Sequence, residues 1–317
     1  MSRTAEPHEP LETLRVKGLH ASTSVAVHDV CCRPHGKERG PEEQPLTHQI
    51  VFPRRGLFEF HARGEKVIAD ANRVLFFTRG EPYRVAHPAG AGDDCTVFAF
   101  DDAILRDALE HVDPRWCATA GGISQPFRFV HGFSDERVFW AHERLRRAAL
   151  FPPRQGLAID EAAVELLTAV LESTYRGRGV APQPAQASTS AAHRELVHQT
   201  SLFLATAFGD DASLADVGRA LHASPFHLAR LFRRESGVTI HQYRHRLRLR
   251  AALTRIADGE ANLSDLALEL GFSSHSHLTD AFRLAFGLSP ADCRRTLDVR
   301  GFRQLSKNLE VGPRAKT

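Results

Sequence analysis

Ser274, His275, Ser276 and His277 stand together in GFSSHSHLTDAFRLAFGLSP (271–290), directly ahead of Leu278, Ala281, Phe282 and Ala285. Apolar residues at i, i+3, i+4 and i+7 mark one buried helix face. The segment therefore predicts a short helix held by its rear, with hydroxyl and imidazole groups left bare on its first turn. Such groups donate and accept hydrogen bonds, which is the chemistry of reading a polar partner. The thiols form a second set: Cys31 and Cys32 in CCRPH (31–35), with Cys95 further on and His28 or His35 nearby. Thiolate and imidazole together bind metals or respond to oxidants. Neighbouring residues on a strand point to opposite faces, so Cys31 and Cys32 are not expected to converge. Buried, inert thiols are the expectation, with a redox or metal sensor as the alternative.

Those residues need elements to carry them. The chain has 317 residues, 42% hydrophobic and 25% charged, which suits two ordinary domains. No apolar run approaches the ~18 residues of a membrane span, and MSRTAEPHEPLETLRVKG lacks the apolar core of a signal peptide. Five cysteines make no paired framework and fit a reducing compartment. The expected location is the cytoplasm, with no membrane partner. The net charge is +3, of which residues 193–298 carry +1 and residues 299–317 carry +4. A basic C-terminal tail permits a nucleic-acid partner.

Residues 1–18 are polar, with Pro7 and Pro10, and are expected to be disordered. From 19 to 100, TSVAVHDVCC, HQIVF, LFEFH, KVIAD, RVLFF, YRVAH and CTVFAF are short Val- and Phe-rich runs broken by Gly, Pro and Asp. That rhythm predicts an antiparallel sandwich or small barrel. Asp101 is placed to cap a helix over 102–111. Helices follow over 134–150, with Val138, Ala141, Leu145 and Ala148 on one stripe, and over 158–175, with Val164, Leu167, Val170 and Leu171. Such stripes pack on the β-domain or form a subunit interface. GRGVAPQPAQASTSAA (177–192) reads as a linker. The expected domains are thus 19–176, 193–298 and the tail 299–317.

The helical segment 193–298 repeats itself. SLADVGRAL (213–221) and SPFHLARLF (224–232) correspond to NLSDLALEL (262–270) and SSHSHLTDAF (273–282). Ser213 matches Asn262 and Asp216 matches Asp265 at an offset of 49, while Leu228/Leu278, Phe232/Phe282 and Gly237/Gly287 keep an offset of 50. Ser213 and Asn262 suit N-caps, Ser224 with Pro225 starts the second helix of its unit, and Thr239 with Gln242 starts a long connecting helix. Each copy is helix, turn, helix, an arrangement that presents the start of its second helix to base edges. Arg244, Arg246, Arg248 and Arg250 alternate along the connecting helix, so they cannot all face one partner.

SPFHLARLFRRESGVTIHQY (224–243), RLRAAL (248–253) and the 271–290 segment resemble the AraC/XylS family of bacterial transcription regulators over roughly 193–297. The resemblance implies two helix-turn-helix units in successive major-groove segments of double-stranded DNA, about 34 Å apart, and RNA polymerase as a further partner. By position it assigns base contacts to Phe226, Ala229 and Arg230 in the first unit, and to His275, Ser276, His277, Thr279 and Asp280 in the second. Arg230 stands out, because bidentate arginine–guanine pairing is the commonest specific contact. Asp280 stands where many relatives carry arginine, and it would repel phosphate or orient Arg283. Gly218 replaces the usual alanine.

The strand rhythm and GEPYRVAHPAGAGDDCTVFAF (80–100) resemble the cupin-type effector domains of that family, which implies a small-molecule effector and a homodimer. The expected whole is α+β, a cupin-like barrel or sandwich with flanking helices before an all-α tandem helix-turn-helix domain. The metal-dependent cupin enzymes bring paired histidines to one ion, often as His-x-His. The histidines before residue 101, at 8, 20, 28, 35, 48, 61 and 87, are never two apart. A regulator without enzymatic activity, cofactor or metal is the expectation. A Pro-Cys-His-Arg alkyltransferase motif is absent.

Overall fold

Two sheets divide the apolar residues of the N-terminal half between two cores. The computed structural model describes residues 12–34, 36–119, 124–150, 156–178, 190–210 and 212–297. A six-stranded antiparallel sheet contains β1 (Glu12–Ala21), β2 (Val25–Pro34), β8 (Asp93–Phe100), β3 (Gln49–Arg55), β6 (Arg73–Phe77) and β9 (His131–Phe133), in that spatial order. A three-stranded sheet orders β5 (Glu65–Ala69), β4 (Phe58–Ala62) and β7 (Tyr83–Ala86). Successive strand residues point to opposite faces. Val51, Leu75, Phe77 and Cys95 accordingly join Phe58, Phe60 and Val67 in the core between the sheets. Ile50, Phe52, Val74, Phe76, Phe98 and Phe100 point the other way, into a core closed by helices. Two-sided burial is why Val74, Leu75, Phe76 and Phe77 are all apolar rather than alternating.

Those closing helices are α1 (Asp102–Val112), α3 (Glu136–Leu150) and α4 (Gly156–Arg178). Asp101 caps α1 by accepting from the Ala103 amide, as its position predicts. A short α2 spans Pro114–Thr119. The apolar stripes of α3 and α4 are used within the chain, where Val138, Leu145, Leu167, Val170 and Leu171 pack on the sheet. The α3 stripe is shifted from the expected one: His142, Glu143, Arg146 and Ala149 are buried, whereas Ala141 and Ala148 are half-buried. A second packed face causes the shift, because Arg146 and Glu143 meet residues of the C-terminal domain.

The expectation of disorder over 1–18 fails for residues 12–18, which form most of β1 paired antiparallel to β2. Leu14 and Val16 lie exposed on this edge strand, so no apolar alternation announced it; ladder hydrogen bonds to β2 hold it instead. The expected linker 177–192 is helical at both ends, since α4 runs to Arg178 and α5 begins at Ser190. Residues 179–189, the first eleven residues and the tail from 298 lie outside the described residues.

The C-terminal domain comprises α5 (Ser190–Thr206), α6 (Leu214–Ala220), α7 (Pro225–Ser236), α8 (Ile240–Ala257), α9 (Leu263–Glu269), α10 (His275–Phe286) and α11 (Pro290–Leu297). The chain is therefore α+β in two domains, a cupin-like two-sheet sandwich with flanking helices followed by a tandem helix-turn-helix domain. Among the described residues, no helix is long and apolar enough to cross a membrane.

Candidate nucleic-acid interface

The repeat is visible in the capping of each copy. Ser213 caps α6 and forms a reciprocal box with Asp216, while Asn262 caps α9 by accepting from the Ser264 and Asp265 amides. Both first helices end in the same six-residue turn. Ala223 N donates to Gly218 O and His222 N to Arg219 O; Phe272 N donates to Ala267 O and Gly271 N to Leu268 O. This termination needs a left-handed residue, supplied by His222 at φ 50° in one copy and Gly271 at φ 77° in the other. Gly237 and Gly287 end α7 and α10, both at φ 75°. Thr239 and Gln242 form the capping box of α8. Ser224 occupies the N-cap position of α7 but makes no side-chain cap bond; Pro225 at the first turn needs none.

The rear of α10 is anchored by Leu278, Phe282 and Phe286, all buried, and its front projects as expected. His275, Ser276, His277 and Asp280 are exposed and Thr279 is half-buried. Ser274 caps the helix by accepting from the His277 amide at 3.1 Å. The exposed groups are not equivalent. His277 Nδ1 accepts from the Ser273 amide at 3.3 Å, lies 3.0 Å from Ser273 Oγ, and its ring meets Phe272 edge-on. His275 Nε2 lies 3.4 Å from Thr279 Oγ1, and Asp280 lies 4.0 Å from Arg283. The front edge thus offers His275 and Ser276 outward and ties His277 back into the turn. In the first unit Leu228 and Phe232 are buried and Ala229 is half-buried on α7. Phe226 and Arg230 sit on the same helix, but their side chains lie outside the described residues.

The four alternating arginines of α8 are all engaged within the chain. Arg248 donates to Phe208 O and Gly271 O, both at 2.6 Å, and Arg244 to Ala212 O at 2.6 Å, so this face binds both units to the connecting helix. The opposite face turns to the β-domain: Arg246 pairs with Glu136 at 2.8 Å, and Arg250, fully buried, donates to Ser134 O and lies over the Phe139 ring. Desolvation draws the Arg250 guanidinium down to about 10. Alternation along the sequence located the two faces without indicating their partners.

The β-domain reaches the helices by further polar contacts that sequence reading missed. Tyr243 OH donates to Asp70 at 2.5 Å and its carbonyl accepts from Asn72 Nδ2 at 3.3 Å. His198 Nε2 lies 2.7 Å from Glu59, and Arg146 pairs with Asp258 at 2.7 Å. Burial pushes Glu59 up, but His198, Lys66 and His61 outweigh it and hold this carboxyl at about 2. No local motif marks such pairs, because their members are over 100 residues apart. Among the thiols, Cys31 and Cys32 do point to opposite faces, the first paired across strands with Asp94 and the second with Asp93.

Residues 217–296 match a family model described as a helix-turn-helix domain. The HTH-type transcriptional activator RhaS of Citrobacter koseri is 26% identical over 288 residues, covering 87% of this chain and 99% of its own length. RhaS of Shigella sonnei is 27% identical over 280 residues, covering 82% and 93%. Both of these relatives are transcriptional activators. Similar solved structures include the C-terminal domain of AraT, a response regulator from Geobacillus stearothermophilus, at 25% identity, 32% and 84% coverage and a TM-score of 0.31. Fatty-acid-bound ToxT from Vibrio cholerae is similar at 10% identity, 87% and 97% coverage and a TM-score of 0.35.

Proposed function

We propose that this chain, a DNA-binding transcription regulator of the AraC/XylS family, is a ligand-responsive activator that reads one half of its site with α7 and the other with α10. The observation that carries the reading is the in-phase pair of units, each capped and terminated alike and joined by α8. In this reading Arg230, with Phe226 and Ala229, contacts bases from α7. His275 and Ser276 do so from α10, flanked by Thr279 and Asp280, while His277 shapes the turn that presents them.

The activator role follows that of the RhaS relatives, and it makes RNA polymerase a partner. A small-molecule effector on the β-domain is supported by the polar contacts through which Asp70, Glu59 and Ser134 hold α8 and α5. A ligand that prefers one arrangement of that interface shifts the helices with it. The homodimer uses surfaces other than the apolar stripes of α3 and α4, which are occupied within the chain. A cytoplasmic location follows from this function.

A randomised-site selection on variants tests the reading. Arg230→Ala should cost about 1–3 kcal/mol at the specific site and relax base preference in one half. His275→Ala with Ser276→Ala should relax the other half, about one helical turn away. If both variants blur the same base pairs, or neither blurs any, the two-helix readout is wrong.

A further inference from the structure

The β-domain gathers thiol, imidazole and carboxylate groups where β2, β8 and the turn after β7 meet. Cys32 and Asp93 are direct cross-strand partners, so their side chains leave the same face of the sheet. Cys95, two residues along β8, shares that face. His87 follows the end of β7 and is returned to the strand pair by the short turn through Gly90, at φ 69°. The ligand atoms of Cys32, His87 and Asp93 lie within 4.8 Å of one another, and all three residues are buried. His87 Nε2 is 2.7 Å from one Asp93 oxygen, and the Cys95 thiol donates to the other at 3.1 Å.

The backbone around this cluster is drawn tight. A Cβ on Gly92 would collide with the Cys32 carbonyl, and one on Gly56 with the Gly92 carbonyl. Three separate chain segments are therefore held against one another without intervening side chains. A thiolate, an imidazole and a carboxylate suit a zinc-class ion, whereas calcium and magnesium prefer all-oxygen shells. Metal–ligand bonds of about 2.0–2.3 Å place tetrahedral ligands roughly 3.3–3.8 Å apart. The ligand atoms, all within 4.8 Å of one another, lie close to that spacing. A dication balanced by one thiolate and one carboxylate leaves no net charge in a buried place.

We propose that Cys32, His87 and Asp93 bind a zinc-class divalent ion, with Cys95 as the positioning residue that orients the Asp93 carboxylate. The site differs from a pairing of Cys31 with Cys32, whose side chains diverge, and two of its three ligands were not singled out in the sequence. It is independent of how the helices read DNA.

Cobalt(II) titration of metal-stripped full-length protein tests it, because thiolate–cobalt coordination gives a near-ultraviolet charge-transfer band. One equivalent should develop the band, and zinc should bleach it. Cys32→Ser should abolish it, whereas Cys31→Ser on the opposite face should leave it unchanged. His87→Gln should keep a thiol–cobalt band but weaken affinity at least about tenfold. Cys95→Ala should weaken affinity by roughly 10–100-fold, the usual effect of losing an outer-shell partner. Circular dichroism checks that each variant folds; should Cys32→Ser not fold, His87→Gln and the parent titration still decide. Absence of the band in the parent, its survival in folded Cys32→Ser, or its loss in folded Cys31→Ser overturns the assignment.

Discussion

His142 is fully enclosed, stacked on Phe52 at 4.3 Å with Phe98 and Phe139 edge-on, and neither ring nitrogen has a hydrogen-bond partner among the described residues. Burial, aided by the charges of Arg146 and Arg54, depresses its basicity well below 6.5. The native state then holds this ring neutral while the unfolded chain protonates it. The contribution to stability is complete above pH 6.5 and is lost as pH falls below that value. Each pH unit below 6.5 should cost roughly 1.4 kcal/mol until the folded ring titrates. His142→Phe keeps the stack and removes the proton, so urea unfolding at pH 7.5 and 5.5 should show a smaller loss than in the parent. Equal losses would mean that His142 is solvated. Nothing in the sequence marked this histidine, because its environment comes from β3, β8 and α3 together. His275 and Ser276 were legible for the opposite reason: local spacing alone decides that the first turn of α10 stays bare.

The two copies of helix, turn and helix solve the same termination with different residues, which makes a reciprocal pair of substitutions informative. Gly271 adopts φ 77° and an added Cβ would meet the Gly209 carbonyl and the Arg248 guanidinium. Arg248 is the side chain that fastens this turn to α8. Gly271→Ala should therefore destabilise the second unit by at least about 1–2 kcal/mol from backbone conformation alone, and more from displacement of Arg248. His222→Gly relieves the left-handed strain at the equivalent exposed position and should add a few tenths to about 1 kcal/mol. Thermal unfolding reads both, and on the proposed reading the DNA selection should show Gly271→Ala blurring only the half assigned to α10. The offset of 49 becoming 50 placed one extra residue after this turn, and α9–α10 carries it as Ser273 before the cap at Ser274. Elements with local signals, such as the caps of α1, α6 and α8, were legible in the sequence. Strand β1 was not, since it presents Leu14 and Val16 to solvent and exists by pairing with β2.

Across the whole molecule the two domains meet through buried polar groups, so the linker does not leave them independent. Asp70 and Tyr243 are both fully enclosed, and the carboxyl is held by the Tyr243 hydroxyl at 2.5 Å and the Asn72 amide at 2.9 Å. Burial pushes the Asp70 carboxyl up, with the Tyr243 bond and Arg73 opposing. Removing one partner of such a pair leaves the other buried without its bond, at a cost of about 1–3 kcal/mol. Tyr243→Phe should lower full-length stability by that amount, and Asp70→Ala should lower it by at least as much. Combined, they should cost less than the sum, giving a coupling of roughly 0.5–3 kcal/mol as expected for residues in contact. On the proposed reading, the same cycle measures whether effector and DNA can speak to one another, because Asp70 belongs to the β-domain and Tyr243 to α8, the helix that joins the two helix-turn-helix units. If the domains stand apart in solution, the hydroxyl and carboxylate are each hydrated and the coupling vanishes. A zero in the absence of effector that becomes a positive value in its presence would identify this contact as the element the ligand closes. A value of the expected size under both conditions would place the switch elsewhere, with His198–Glu59 the next pair to cycle.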